Sequence, residues 1–304
     1  MGRVVVVGSY NVGFWVVGPS LPEPGQTVLG HTFGTGPGGK GSNQAIGLRR
    51  LGADVTFVVK LGDDRFAEDA RELFRREALL GEGVLQAADT HTGAGLILID
   101  DDGANMIGVA PGANARLAPE DLDVIPRLFD GASHLLCQLE CPPELFAAAA
   151  ARARAQGVTT ILNPAPAAPL DDPTLALVDL LTPNETELGV LAGRPVEGEP
   201  EIEAAARSLL DRGVGVVVVT LGERGALLVQ PEGVSAFEAR PVRAVDTTGA
   251  GDAFNAGLVA GLAAGSPLAD AIALGLRAGA FCVTRLGVVE GLPTMERLAE
   301  EVPA

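Results

Sequence analysis

The sequence predicts a doubly wound α/β protein, with a mostly parallel central sheet flanked by helices and a small β-sheet lid. Three observations support this. Apolar β-branched runs recur along the chain, helical patterns separate several of them, and two turn-rich segments interrupt the alternation.

A strand that reads as a continuous apolar run is buried on both faces, as in a parallel sheet. "RVVVVGS", "DVTFVVKLG", "GLILID", "HLLCQLE", "VTTILNP", "LVDLLTP" and "GVVVVTLG" have that form, each bounded by Gly, Asp or Asn. Helices are expected over "NQAIGLRRLG", "RFAEDARELFRREALL", "PELFAAAAARARAQG" and "EIEAAARSLLDRG". The alanine-rich member of that set is simply good helix. Residues 13–36 are rich in Gly, Pro and Thr, and residues 92–110 hold two short strands around the turn "DDGAN". Both leave and rejoin a single domain spanning residues 1–304, so they are expected to form a lid over the site; a structural flap or a dimer contact is the other reading. "TLGERGALLV" is a Gly-rich turn between two strands, and two long helices should follow over about Asp252–Ala264 and Leu268–Thr284. The final "EEVPA" is expected to fray.

A length of 304 residues suits one large domain. With 47% hydrophobic and 20% charged residues the chain can bury a real core. No apolar run reaches the roughly 18–20 residues of a membrane span, and the apolar start is too short for a signal peptide, so a cytoplasmic protein is expected. A formal net charge of -17 argues against nucleic acid as partner. It does not exclude ATP, because magnesium, helix N-termini and a few arginines reverse the field locally. Cys137, Cys141 and Cys282 form no disulfide framework or zinc pattern, and His31, His91 and His134 do not cluster with them.

Two loops carry the chemistry. "GTGPGGKGSNQA" (residues 34–45) has most of a phosphate-binding P-loop, but Gly41 follows Lys40 where Ser or Thr should bind magnesium, and no core strand precedes it. It is either a glycine turn ahead of a helix or a loop whose backbone N–H groups, Lys40 and Asn43 hold a polyhydroxylated ligand. The second loop, "VDTTGAGDAFNAG", sets Gly249-Ala250-Gly251-Asp252 directly before a long helix. Bare amides at a helix N-terminus suit the charge on a transferring phosphoryl group. Asp252 could cap that helix or serve as a base facing a hydroxyl.

Together with "GSYN", "GDD", "GAN", "QLE", "NPAPA", "TPNETE", "TLGERG" and "VTR.G", these loops resemble the ribokinase (phosphofructokinase B) family of sugar kinases over nearly the whole chain, and its bacterial ribokinases most. The resemblance implies transfer of the ATP γ-phosphoryl group to a primary hydroxyl of a pentose, ribose first, with magnesium and potassium as cofactors. It makes Asp252 the base, and the N–H groups of Gly249, Ala250 and Gly251 the stabilisers of the transferring group. Asn11, Gly38, Gly39, Lys40, Asn43 and Glu140 match sugar-contacting positions. Asn184 should lie by the ATP phosphates and Glu187 should position magnesium through water, although "NETE" alone also reads as an acidic helix N-terminus. Thr220, Gly222 and Gly225 match the ATP-contacting turn, joined by Gly251. Asp246, Thr248, Cys282, Arg285, Gly287 and Gly291 match a potassium site, with Gly291 where a Ser is frequent. A homodimer through the lids is also implied.

One departure bears on the substrate. Gly13 stands where ribokinases carry an Asp that binds two sugar hydroxyls. Two charge-assisted hydrogen bonds, each worth about 1.5–3 kcal/mol, are thereby missing. Another sugar or a nucleoside remains open as acceptor, with Phe14 or Trp15 either stacking on a ring or packing in the lid. A non-catalytic sugar sensor on a kinase fold remains the reading outside the enzyme class.

Overall fold

In the computed structural model, which describes residues 2–302, the apolar runs become strands. In chain order these are β1 (Arg3–Val7), β2 (Asn11–Gly18), β3 (Thr32–Gly38), β4 (Asp54–Leu61), β5 (Val84–Gln86), β6 (Gly93–Asp100), β7 (Asn105–Ala110), β8 (Ala132–Cys137), β9 (Thr159–Leu162), β10 (Leu180–Leu181), β11 (Val216–Thr220), β12 (Ala226–Gln230) and β13 (Gly233–Phe237). Nine of them form the main sheet in the order β13-β12-β11-β10-β9-β8-β1-β4-β5. Pairing is parallel from β11 through β5, and β12 and β13 extend the edge as an antiparallel hairpin. Both faces are buried: Val4 and Val6 of β1 enter one core and Val5 and Val7 the other, as a period of two requires.

From β1 the chain builds outward to β4 and β5, then returns to the far side of β1 to start β8. The order reverses between β1 and β8, and such a switch point opens a crevice beyond the carboxyl ends of the strands. Ser9 and Asn11 leave β1 there, and Gln138 and Glu140 leave β8.

A second sheet of four strands, in the order β3-β2-β6-β7, stands outside this layer. β2 pairs parallel with β6, and the outer pairs are antiparallel. It is built from the two segments that interrupt the alternation in the sequence.

Helices fill both faces of the main sheet. The helix Ala250–Ala263 lies between the helices Lys40–Arg50 and Leu268–Cys282, and small residues let the axes approach. A Cβ on Gly47 would sit 2.6 Å from the Ala256 Cβ, and one on Gly257 would sit 2.8 Å from Gly275 Cα.

The C-terminal expectation needs correction. Met295–Glu301 is a helix, capped by the Thr294 hydroxyl accepting from Arg297 N. Val302 is buried, and its carbonyl accepts from Arg277 Nε at 2.7 Å. Apolar burial and that bond hold the segment expected to fray, while residues 303–304 lie outside the described residues. "LVDLLTP" contributes only Leu180–Leu181 as strand, and β5 and β13 are short strands with no apolar run to announce them. Among the described residues no helix is long and apolar enough to cross a membrane.

Because Gly257 touches Gly275 backbone, Gly257→Leu is expected to lower the unfolding free energy by about 1–3 kcal/mol, the usual cost of overpacking. Urea denaturation measures it, and an unchanged midpoint would mean that the helices stand further apart.

Candidate active site

Parallel packing of the helices Lys40–Arg50 and Ala250–Ala263 sets their N-termini side by side, and the two glycine loops meet there. Asn43 Nδ2 donates to Asp252 Oδ2 at 2.8 Å, and Gln44 Nε2 donates to Asp252 Oδ1 at 2.9 Å. Asp252 is only 6% exposed. The early loop lies flat against the exit of β1. Gly39 has φ 92°, and a Cβ there would sit 2.7 Å from Tyr10 Cα; one on Gly41 would sit 2.3 Å from Ser9 N. Ser42 closes the turn by donating from Oγ to the Gly38 carbonyl at 2.7 Å.

Asp252 does not cap its helix. The N-cap is Gly249, at φ 81° and without a side-chain cap, and both Asp252 oxygens accept from the Asn43 and Gln44 amides. Gly249, Ala250 and Gly251 line a polar cleft together with Asp252, Lys40, Asn184, Glu187 and Thr220. The positive end of the helix dipole therefore opens onto the cleft.

Lys40 supplies the full positive charge. Burial is the largest single influence and disfavours that charge, but the combined field of Asp252, Glu140 and Glu187 outweighs it and raises the Lys40 pKa. Glu187 is shifted upward from the ordinary carboxylate range, first by burial and further by Asp252, against the backbone N–H of Asn184 and the charge of Lys40.

Asn184 and Glu187 form a reciprocal cap at the start of the helix Glu185–Ala192. Asn184 Oδ1 accepts from Glu187 N, and Glu187 Oε2 accepts from Asn184 N, each at 2.8 Å. The same pair borders the cleft, so the helix-terminus reading and the ligand-facing reading coexist. Asn184 bridges to Thr220, where β11 ends. Gly222 (φ 59°) and Gly225 (φ 97°) turn the chain beyond Thr220, outside the cleft wall.

The sugar-matching residues surround the other side of Asp252. Glu140 Oε2 accepts from Lys40 N at 2.8 Å and from Ser9 Oγ, which pins the glycine loop to the end of β8. Asn11 Oδ1 accepts from Asn114 Nδ2 at 2.9 Å, and Asn114 also bonds both backbone groups of Tyr10. Gly13 lies level with Gly36 and Gly95 on the neighbouring strands, so three of the four strands of the second sheet bear no side chain at this level, and Val109 of β7 is the fourth member of the row. A Cβ on Gly13 would meet only the Gly36 carbonyl oxygen, at 3.5 Å. Phe14 points to the opposite face and packs edge-on against Phe66, with ring centroids 5.5 Å apart. Trp15 shares the Asn11 and Gly13 face and covers Gly34, where a Cβ would sit 2.2 Å from the indole.

The six potassium-matching positions form one cluster behind the Asp252 helix. Asp246 accepts from Thr248 N at 2.9 Å and Gly287 N at 3.1 Å; Arg285 N donates to the Cys282 carbonyl and Gly291 N to the Gly287 carbonyl. The Cys282 thiol faces the Thr248 carbonyl at 3.7 Å. A Cβ on Gly291 would sit 2.9 Å from that sulfur, so the thiol fills the space of a larger residue at 291.

Sequence alone does not single out Gln44, Asn114, Gln138, Asn163, Thr182 or Asn255, all buried polar residues linked to the site. The available signal was a polar residue placed directly after an apolar strand, as in "QLE" and "NPAPA".

The description "pfkB family carbohydrate kinase" belongs to the family model that matches residues 1–295. A ribokinase of Staphylococcus aureus (strain COL) is 36% identical over 97% of this chain and 98% of its own length. A bifunctional ribokinase/ribose-5-phosphate isomerase A of Fructilactobacillus sanfranciscensis is 35% identical over 98% of this chain, which spans 56% of that longer protein. Among solved structures, Arabidopsis thaliana ribokinase complexed with ribose and ATP superposes with a TM-score of 0.90 at 29% identity, covering 98% of each chain.

Asn114→Leu removes three bonds and leaves buried Tyr10 backbone groups unpaired. It is expected to cost about 2–5 kcal/mol of stability and to weaken acceptor binding at least tenfold, with nucleotide affinity retained. Denaturation and separate titrations of the two substrates measure this, and equal loss for both substrates would contradict the placement.

Proposed function

The chain belongs to the pfkB family of carbohydrate kinases, and we propose that it phosphorylates the primary hydroxyl of ribose with ATP. The observation that carries this reading is the buried Asp252 carboxylate, held by Asn43 and Gln44 beside an uncapped helix N-terminus. Asp252 takes the hydroxyl proton. The freed oxygen bonds to the γ-phosphorus as the bond to the bridging oxygen breaks, and ADP leaves. The N–H groups of Gly249 and Gly251 serve the equatorial oxygens, joined by that of Ala250 once it leaves the Thr247 carbonyl to which it donates at 3.3 Å, and Lys40 offsets further negative charge. Thr220, Gly222 and Gly225 hold the nucleotide at the far end, with Asn184 by its phosphates.

Asn11, Gly38, Gly39, Lys40, Asn43 and Glu140 surround the sugar. Asn43 Oδ1 is buried with no partner among the described residues, an acceptor placed for a sugar hydroxyl. The lid covers that position. Its Asn11 face also carries Ile107 and Val109, and its other face exposes Phe33, Leu96 and Met106. An apolar surface of that kind suits a second copy of the chain, giving a homodimer joined through the lids.

The residues fit both implied metals. Among the described residues no three His, Cys, Asp or Glu side chains cluster as a metal cage, and Glu187 has one oxygen beyond its helix cap. That donor set suits magnesium carried on nucleotide phosphates and reached through water. Bound magnesium supplies charge neutralisation at the phosphates. The Asp246 carboxylate and the carbonyls around Thr248, Cys282, Arg285 and Gly287 suit a potassium ion, with no side-chain oxygen from Gly291.

Gly13 favours a second reading, in which the acceptor is another pentose or a nucleoside. The bare row Gly36, Gly13 and Gly95 removes a carboxylate and adds room.

Two substitutions test these readings. Asp252→Asn is expected to keep ATP affinity and cut turnover by at least about 10²; undiminished turnover would refute the assignment of the base. Gly13→Asp has space for its side chain and is expected to raise ribose kcat/KM about tenfold or more. A loss on ribose, measured beside a panel of sugars and nucleosides, would favour the second reading.

A further inference from the structure

Beneath Asp252 lies a chain of buried amides that direct contact with either substrate does not require. Gln44 is 0% exposed, and every polar atom of its side chain is engaged. Its Nε2 donates to Asp252 Oδ1 and to Asn163 Oδ1, each at 2.9 Å, and its Oε1 accepts from Gln138 Nε2 at 2.5 Å. Asn163 Nδ2 donates to the Thr182 carbonyl at 3.1 Å, which turns Asn163 Oδ1 toward Gln44. The two neighbours therefore allow one orientation of the Gln44 amide, N–H toward Asp252. Reversed, it would set a carbonyl oxygen against the carboxylate and the Gln138 N–H against another N–H.

Gln138 supports this reading independently. Its Oε1 is buried without a partner among the described residues. Folding stability alone would favour an apolar side chain over a buried amide with an orphaned acceptor. The Nε2 bond to Gln44 is what that amide provides.

We infer that Gln44 is a positioning residue for the phosphoryl-transfer base, and that Gln138 acts one step further back by setting the direction of the Gln44 amide. The inference rests on the reading of Asp252 as base. Gln44 fixes Asp252 Oδ1 and Asn43 steadies Oδ2, so the carboxylate is held in one orientation with a lone pair on each oxygen still free for the acceptor hydroxyl. In general, losing a hydrogen-bond donor disfavours the ionised form of a carboxylate. The other titratable groups within electrostatic reach of Asp252 are Lys40, Glu187 and Cys282, and none is altered in the variants below.

The test compares Gln44→Met, Gln44→Glu and Gln138→Met with Asp252→Asn in the full chain, reading kcat, both KM values and the pH dependence of kcat/KM. Gln44→Met should lower kcat about 10- to 100-fold, leave the ATP KM within about twofold, and move the acid limb of kcat/KM to higher pH. Gln44→Glu places a carboxyl against Asp252 and should move that limb further. Gln138→Met should show the same changes in smaller measure, and it decides the matter should the Gln44 variants fail to fold. An acid limb in the wild-type position with undiminished kcat in Gln44→Met or Gln138→Met would overturn the inference. Full turnover in Asp252→Asn would instead overturn the reading of the base itself, so the two failures are distinct.

Discussion

The whole site depends on one packing contact, the close approach of the helix Lys40–Arg50 to the helix Ala250–Ala263 through Gly47 and Ala256. That approach brings two helix N-termini level with each other. It delivers the Asn43 and Gln44 amides to a carboxylate more than two hundred positions later in the chain, and it leaves the later helix without a side-chain cap. The sheet supplies the remaining walls, because the strand order reverses beside β1 and opens the crevice that both loops border. The second sheet attaches at that place through Asn11 and Asn114.

The loops and the α/β alternation were legible in the sequence because their signals are local. Glycines needed for close backbone approach stand next to the polar residues that use them, and buried parallel strands announce themselves as apolar runs. What could not be read has partners distant in the chain. That Asp252 does not cap its helix is visible only once Asn43 and Gln44 are located at both of its oxygens. Phe14, on β2, reads as a candidate for stacking on a ligand until its packing against Phe66, on the helix Arg65–Arg76, is seen. The final "EEVPA" reads as a loose end because Arg277, which holds the Val302 carbonyl, lies in a different element. The buried amides behind Asp252 went unremarked for the same reason, since a lone Gln after an apolar strand has no meaning until its acceptor is located.

In a chain of net charge -17, binding of ATP needs a local reversal of field, and few groups are placed in the cleft to supply it. Of the two lysines, Lys60 is paired with Asp121, and Lys40 lies among the carboxylates of the cleft. The backbone amides of one helix turn supply the rest. One lysine and the first turn of one helix suit a small phosphate-bearing ligand better than a polyanionic backbone.

The long span of chain between the two loops also governs how the protein comes into being. A nascent polypeptide on the ribosome carries the Lys40 loop early, yet Ile46 and Leu48 belong to the same apolar core as Leu258 and Val259, which are translated about two hundred residues later. Until those residues emerge, one face of the growing sheet lacks its covering layer, and the early amides have no carboxylate to grip. Competence for chemistry therefore arrives only after the Asp252 helix has been made, and a product terminated before it would be both inactive and sticky.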